Sequence, residues 1–385
     1  MKKPLLLLAI FMTLLSVNAF ATDGTWVEFP ICTNSASQML PDIYGDIVVW
    51  ADNFGGTLNI WGYDLSTSTQ FPISLGSVGV NNGDPHIYEN IVVYSKWQAV
   101  TDDVDVYGYD LATQTEFPIT TAEGMQSDAH IFGSIVVWED GRSPNSGIYG
   151  FDLSTESEFP IHIGAAGRPD IYGNIVVWCD RRNGNGDIYG YDLTTRNEFP
   201  ICTHEAEQID PAIYGDIVVW TDSRGNGGIF AYDLTRQTEF QIPTTFTGQQ
   251  APDIYGDIVV WYQGIPPNYD IYGFDLSTST EFPISTSVGA QLYPAIYENT
   301  VVWRDDRKPG GIDDDIYGAK FHPIYPPALS GCINEPAFAN AEVILILQGE
   351  KKQVTTADAN GCYEFYDLDA GQIKHLQIKV YQSAE

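Results

Sequence analysis

The chain has 385 residues, with 51 Asp and Glu against 18 Lys and Arg and a formal charge of −33 at pH 7. Such a surface repels nucleic acid and anionic membranes, which removes both as partners. Five cysteines are too few for a disulfide scaffold, and 13% aromatic residues without a long helical pattern point to a packed β protein.

The first 21 residues pair a basic start (Lys2, Lys3) with an apolar run from Leu5 to Val17 and the small-residue site Ala19-Phe20-Ala21. This is the pattern of a secretory signal peptide cleaved after Ala21, and the run is short for a membrane span. A secreted, periplasmic or cell-surface location is expected, with no transmembrane segment after cleavage. Losing Lys2 and Lys3 takes the formal charge from −33 to −35. The acidic balance reads first as solubility or adaptation to salt; the sharper alternative is cation binding on clustered carboxylates.

From there the chain repeats. An Ile-Tyr-Gly-x-Ile-Val-Val-Trp motif recurs with its last residue at Trp50, Tyr94, Trp138, Trp178, Trp220, Trp261 and Trp303, at intervals of 40 to 44 residues. In each unit, short runs of Ile, Val, Tyr and Phe alternate with Asn-Gly or Asp-Leu-Ser/Thr-Thr turn chemistry. Four strands (A to D) fit one unit: Pro169 to Tyr172, Asn174 to Asp180, Asp187 to Leu193 and Glu198 to Cys202 in the fourth copy. Four strands at this period predict a β-propeller blade. Pro72, Pro118, Pro160, Pro200 and Pro283 place D at the outer edge, since proline donates nothing to a ladder. The stretch Trp26 to Cys32 resembles a stray D strand, and the seventh unit lacks one. Residues 22–322 therefore read as a seven-bladed propeller whose N-terminal strand completes the last blade.

Residues 323–329 are a Pro-rich linker, and residues 330–385 read as a small Ig/transthyretin-like β-sandwich. Cys332 and Cys362 flank its first half and could bridge; Cys32 and Cys202 lie on distant blades and should not pair; Cys179 is expected to be buried and inert. The Asp-x-Arg…Asp-Ile-Tyr-x-Tyr-Asp-Leu script resembles the TolB-like propeller repeat of exported and cell-surface proteins. The Thr355-to-Gly371 signature resembles the carboxypeptidase-regulatory-like or Cna-B-type sandwich. These resemblances imply envelope binding or assembly roles and a spacer. Some propellers of similar repeat are polysaccharide lyases with a histidine-bound metal.

Residues present in every unit most simply serve the unit. Asp140/Arg142, Asp180/Arg182, Asp222/Arg224 and Asp305/Arg307 read as ion-pair braces. Asp64, Asp110, Asp152, Asp192, Asp233 and Asp275 read as turn acceptors. Function is sought where units differ. On strand A two positions, two residues apart, should share the channel face: Leu40, Asp84, Asp128, Arg168, Asp210, Ala251 and Tyr293, then Asp42, His86, His130, Asp170, Ala212, Asp253 and Ala295. Asp84, His86, Asp128 and His130 are the candidate metal ligands, set against plain Asp–His hydrogen bonding in a wet channel. Blade 2 lacks the Asp-x-Arg pair and shows Lys96 and Trp97, which with Arg168 and Tyr293 form the candidate ligand surface. Gln263 to Tyr269 on blade 6 is a similar exception, and Asp313-Asp314-Asp315 on blade 7 is an acidic cluster that could hold calcium or simply be solvated.

No nucleophile elbow, phosphate loop, dinucleotide fingerprint or His-Glu-x-x-His is present. The leading expectation is a monomeric, non-catalytic binding ring for an envelope protein or polysaccharide, with Ca2+ or another divalent metal as the only cofactor considered. The alternative is a metal-assisted polysaccharide lyase or glycosidase working in the channel.

Overall fold

The computed structural model describes residues 24–308 and 313–323, with five short strands between Leu329 and Tyr381. The signal segment and most of the linker lie outside the described residues. Among the described residues no helix is long and apolar enough to cross a membrane.

Seven four-stranded antiparallel sheets each run A-B-C-D from the centre outward. Blade 1 comprises Gln38–Tyr44, Ile47–Asp52, Asn59–Asp64 and Thr69–Ser74. Each A strand packs on the next, and the seventh meets the first, so the ring is closed. Blade 7 takes Gln291–Tyr297, Thr300–Asp305 and Asp315–Pro323 from its own unit and Gly24–Cys32 as its outer strand. The Arg307 guanidinium reaches back to Glu28 at 2.8 Å, and Ser37 Oγ donates to Asp314 at 2.9 Å. The expected closure by chain start on chain end is the one observed.

Burial explains why one blade cannot stand alone. The Val-Val-Trp triplet of strand B has no exposed surface, and the anchor side chains Trp50, Tyr94, Trp138, Trp178, Trp220, Trp261 and Trp303 are all fully buried. Each clusters with residues of an adjoining blade, as Trp220 does with Val177, Ile188 and Ile201. Fully burying such side chains is worth about 1.5–3 kcal/mol each, with neighbours supplying the cover.

The Asp-x-Arg pairs brace their own blade. Asp180 accepts from Trp178 Nε1 (3.0 Å), from the Arg182 amide (2.9 Å) and from its guanidinium (2.8 and 2.6 Å). Arg182 lies over Tyr189 of strand C at 4.2 Å and pairs with Glu198 of strand D at 2.6 Å. Burial alone would raise Asp180; the hydrogen bonds from Arg182 and Trp178 outweigh it and hold the carboxyl low. A lowered carboxyl gives stability that is present above its unfolded value, near 4, and is lost as pH falls through the folded value. Circular dichroism should accordingly show acid unfolding beginning below about pH 4.

Blade 2 corrects one expectation. Lys96 occupies the arginine's place, with Nζ 4.3 Å above Tyr107 and 2.7 Å from Glu116, so the brace survives with a lysine. Blade 7 corrects another. Asp314 pairs with Arg304 at 2.7 Å and Asp315 with Lys308 at 2.5 Å, so these two residues serve internal ion pairs. The turn aspartates behave as expected, Asp152 accepting from the Ser154 amide at 2.9 Å and from its hydroxyl at 2.7 Å, which brings it down to about 2.

Cys32, Cys179 and Cys202 are buried free thiols, pushed up by burial to about 11, 11 and 12. Beyond the ring, Leu329–Cys332 pairs with Cys362–Phe365, and Glu342–Leu347 lies between Glu350–Thr356 and Leu376–Tyr381. Cys332 and Cys362 are register partners. Directly opposed antiparallel residues have Cα atoms about 4.5–5.5 Å apart, within disulfide reach. Intact mass of exported protein should therefore fall short of the reduced value by two hydrogens; an unchanged mass would exclude the bridge.

Candidate functional site in the channel mouth

Strand A runs from the face bearing the B–C hairpins and D–A loops toward the A–B turns, so its side chains form successive tiers down the channel. The top tier has an unusual backbone. Leu40, Asp84, Asp128, Arg168, Asp210, Ala251 and Tyr293 all adopt φ between 47° and 55°. In each blade, two strand-A residues face one residue of strand B, a β-bulge, as where the register passes from Gly83↔Ser95 to His86↔Val93. Proline follows the left-handed residue in six blades, with Ala129 the exception. Simple alternation missed this: the bulge, not the pleat, aims the top-tier side chains. A left-handed non-glycine costs roughly 1–2 kcal/mol, which the ring meets seven times.

The middle tier holds Asp42, His86, His130, Asp170, Ala212, Asp253 and Ala295. His86 and His130 stack with ring centroids 3.6 Å apart. Each is tied outward through Nδ1, His86 to Asp42 at 3.3 Å and His130 to Asp170 at 3.0 Å. Asp42 and Asp170 also accept the amides of Ile87 and Ile213 in the following blades, both at 2.8 Å. Burial pulls the His86 imidazolium down, but the Asp42 hydrogen bond and the charges of Asp42, Asp170 and Asp84 outweigh it and raise it. Asp253 is pushed up to about 7 by burial and by Asp42 and Asp170.

The bottom tier is a closed ring of aromatics: Tyr44, Tyr88, Phe132, Tyr172, Tyr214, Tyr255 and Tyr297, neighbouring centroids 4.6–4.9 Å apart.

The blade 2–blade 3 sector is where these tiers meet an aromatic wall. A cleft of about 250 Å³ is lined by Asp84, Ser95, Trp97, Met125 and Ser127, among others. Asp84 is raised by burial and by Asp128, against the pull of His86 and His130. Trp97, half-buried, directs Nε1 toward Asp102 at 3.4 Å. Of the eight candidates, Asp84 and Trp97 line this cleft, while His86 and His130 contact each other in the tier below. Arg168 pairs with Asp210 on the neighbouring blade, and Tyr293 packs on Tyr262 at 5.6 Å. Lys96 is committed to the brace. Glu139 of strand B was missed by the sequence reading; its signal is that other blades carry Ala51, Ser95, Cys179, Thr221, Tyr262 or Arg304 there.

The donor set was tested for a resident metal. Nδ1 of each imidazole is taken by a carboxylate, and among the described residues no three His, Cys, Asp or Glu side chains form a metal-holding group. The arrangement does not fit a three-ligand centre.

No family model matches the chain, and no curated protein matches it. Solved structures share the fold. A manganese-bound oligogalacturonate lyase is 14% identical over 78% of this chain and 97% of its own, with a TM-score of 0.59. An oligogalacturonate lyase from Vibrio parahaemolyticus is 13% identical, covering 77% and 97%, at 0.58. The propeller domain of the Trilobed protease from Pyrococcus furiosus is 12% identical, covering 76% and 99%, at 0.61. Two acylaminoacyl peptidases match over 49% and 52% of their own chains. The likeness establishes a seven-bladed propeller. It also corrects the expectation of a non-catalytic ring, since the solved structures sharing this fold are mostly enzymes or parts of them.

Proposed function

We propose that this chain is an exported glycan-cleaving enzyme whose reaction takes place where blades 2 and 3 line the channel mouth. The observation that carries the reading is Asp84 in a cleft walled by Trp97, one tier above the contacting His86–His130 pair. A raised imidazolium is a proton donor near neutrality, and a raised carboxylate is a stronger base than an ordinary Asp. His86, backed by Asp42, protonates the glycosidic oxygen. Asp84 takes a proton from a water molecule, whose oxygen attacks the anomeric carbon as the C–O bond breaks. A proton passing from Asp84 to His86 resets the pair. The indole of Trp97 offers a sugar-stacking face. The C-terminal strands are read as the carboxypeptidase-regulatory-like sandwich, serving as a spacer.

The test is depolymerisation of neutral, acidic and amino-sugar oligosaccharides, read by mass, with Ca2+, with Mn2+ and with chelator. Shortening that persists in chelator supports the reading; if no oligosaccharide is shortened under any condition, it falls. Trp97→Ala should raise KM roughly three- to tenfold with kcat nearly unchanged, as lost stacking predicts.

A further inference from the structure

Just before its bulge, each blade pairs one residue of strand A with one of strand B. In blade 2 that pair is Gly83 and Ser95, the smallest of the seven. Elsewhere the pair carries at least one larger side chain, as in Ile209–Thr221, Gln250–Tyr262 and Leu292–Arg304. The strand-B member commonly engages strand A of the following blade. Cys179 Sγ donates to the Gln208 carbonyl at 3.4 Å, Thr221 Oγ1 accepts from the Ala251 amide at 3.1 Å, and Tyr262 packs on Tyr293. Ser95 departs from this: it is 6% exposed, yet its Oγ has no hydrogen-bond partner.

Space stands where that contact would be. A Cβ at Gly83 would meet nothing within 4 Å, and Gly83 and Ser95 both line the cleft of about 250 Å³. Its walls are mostly carbon. Leu58 comes from blade 1, Trp97 and Val104 from the blade 2 hairpin, and Met125 from the loop into blade 3, bridged to Val104. Asn81 also lines it; its Oδ1 accepts from the Leu58 amide at 2.9 Å, which leaves Nδ2 as a donor.

We propose, building on the glycan-cleaving reading, that this cleft seats the acetyl group of an acylated sugar, and that the substrate class is an acetylated glycan. The volume is below the roughly 300–1,000 Å³ of sites that enclose a drug-sized ligand, so it takes one substituent of a chain and not an oligomer. A buried hydroxyl without a partner is unfavourable, and an acetyl carbonyl supplies the missing acceptor for Ser95. The methyl group then lies against Leu58, Val104 and Met125, where a bare hydroxyl would gain nothing. A carboxylate fits poorly, since among the described residues no Lys or Arg lines the cleft and Asp84 does.

The test compares two pairs of tetramers on the full chain: N-acetylglucosamine against glucosamine, and 2-O-acetylated xylose against xylose. Binding is measured by titration calorimetry in His86→Gln, and kcat/KM in the otherwise unmodified protein. At least one acetylated tetramer should surpass its bare counterpart by about fivefold or more, and the pair that does so identifies an amide-linked or ester-linked acetyl group. That advantage should shrink toward one in Ser95→Ala, with the melting temperature unchanged, and in Gly83→Val, which puts a side chain into the cleft. If Gly83→Val fails to fold, Ser95→Ala decides alone. Equal handling within both pairs, preference for the bare tetramers, or an advantage untouched by Ser95→Ala overturns the acetyl seat while leaving a glycan-cleaving enzyme. If no tetramer is bound or cleaved, both readings fall.

Discussion

Arg307→Met should destabilise the ring by about 3–5 kcal/mol, because it strands the buried Asp305 carboxylate without its guanidinium. The arginine holds Asp305 through bonds of 2.8 and 2.6 Å, lies 3.9 Å over Tyr317, and reaches Glu28 on the N-terminal strand. The same substitution at Arg142 removes an equivalent brace, but there the acid on strand D, Glu158, belongs to the same unit. In blade 7 the outer strand arrives from the other end of the chain, so the local loss also loosens the ring's closure. Thermal melts should place Arg307→Met below Arg142→Met, with the former about 5–15 °C below the parent. Equal melting temperatures would show that closure does not depend on the Arg307–Glu28 contact.

His86→Gln and Asp84→Asn should each lower kcat by about 10²–10⁴, the range of a single proton-transfer group. The pH profile carries a sharper expectation. Asp84 must be ionised, so its raised carboxyl sets the acid limb, and the rate climbs as pH passes upward through it. His86 must hold its proton, so its raised imidazolium sets the alkaline limb, and the rate falls above it. Asp42, Asp170, Asp128 and His130 all face this pair. Asp42→Asn removes the strongest force raising His86 and should move the alkaline limb to lower pH while leaving the melting temperature nearly unchanged. An unmoved limb would show that Asp42 does not set the state of His86.

The ring was legible because its signals repeat. Seven buried anchors, five edge prolines and one displaced Glu-Phe-Pro-Ile strand each report the same geometry, so errors at single positions cancel. The site was only partly legible. Asp84, His86, Asp128 and His130 stand out as departures from the unit, and the structure places the two imidazoles against each other. The left-handed residues before proline escaped notice because pattern reading assumes an unbroken two-residue alternation. Lys96 misled for a related reason: the sequence shows that the arginine is missing, whereas only the fold shows an amine from the missing aspartate's own position reaching the same tyrosine and glutamate. Asp314 and Asp315 looked like a free acidic run because their partners Arg304 and Lys308 lie on the preceding strand and the loop after it.

The heptagon of six phenols and one phenyl ring at the foot of the channel has a kinetic side. Neighbouring centroids 4.6–4.9 Å apart draw the channel into an aromatic collar here, so the cavity reads as a cup more than a pipe. On that reading whatever enters backs out by the door it came through. A long polymer can lower an end into such a vessel but cannot be reeled along it, so each round of turnover waits for the vessel to empty.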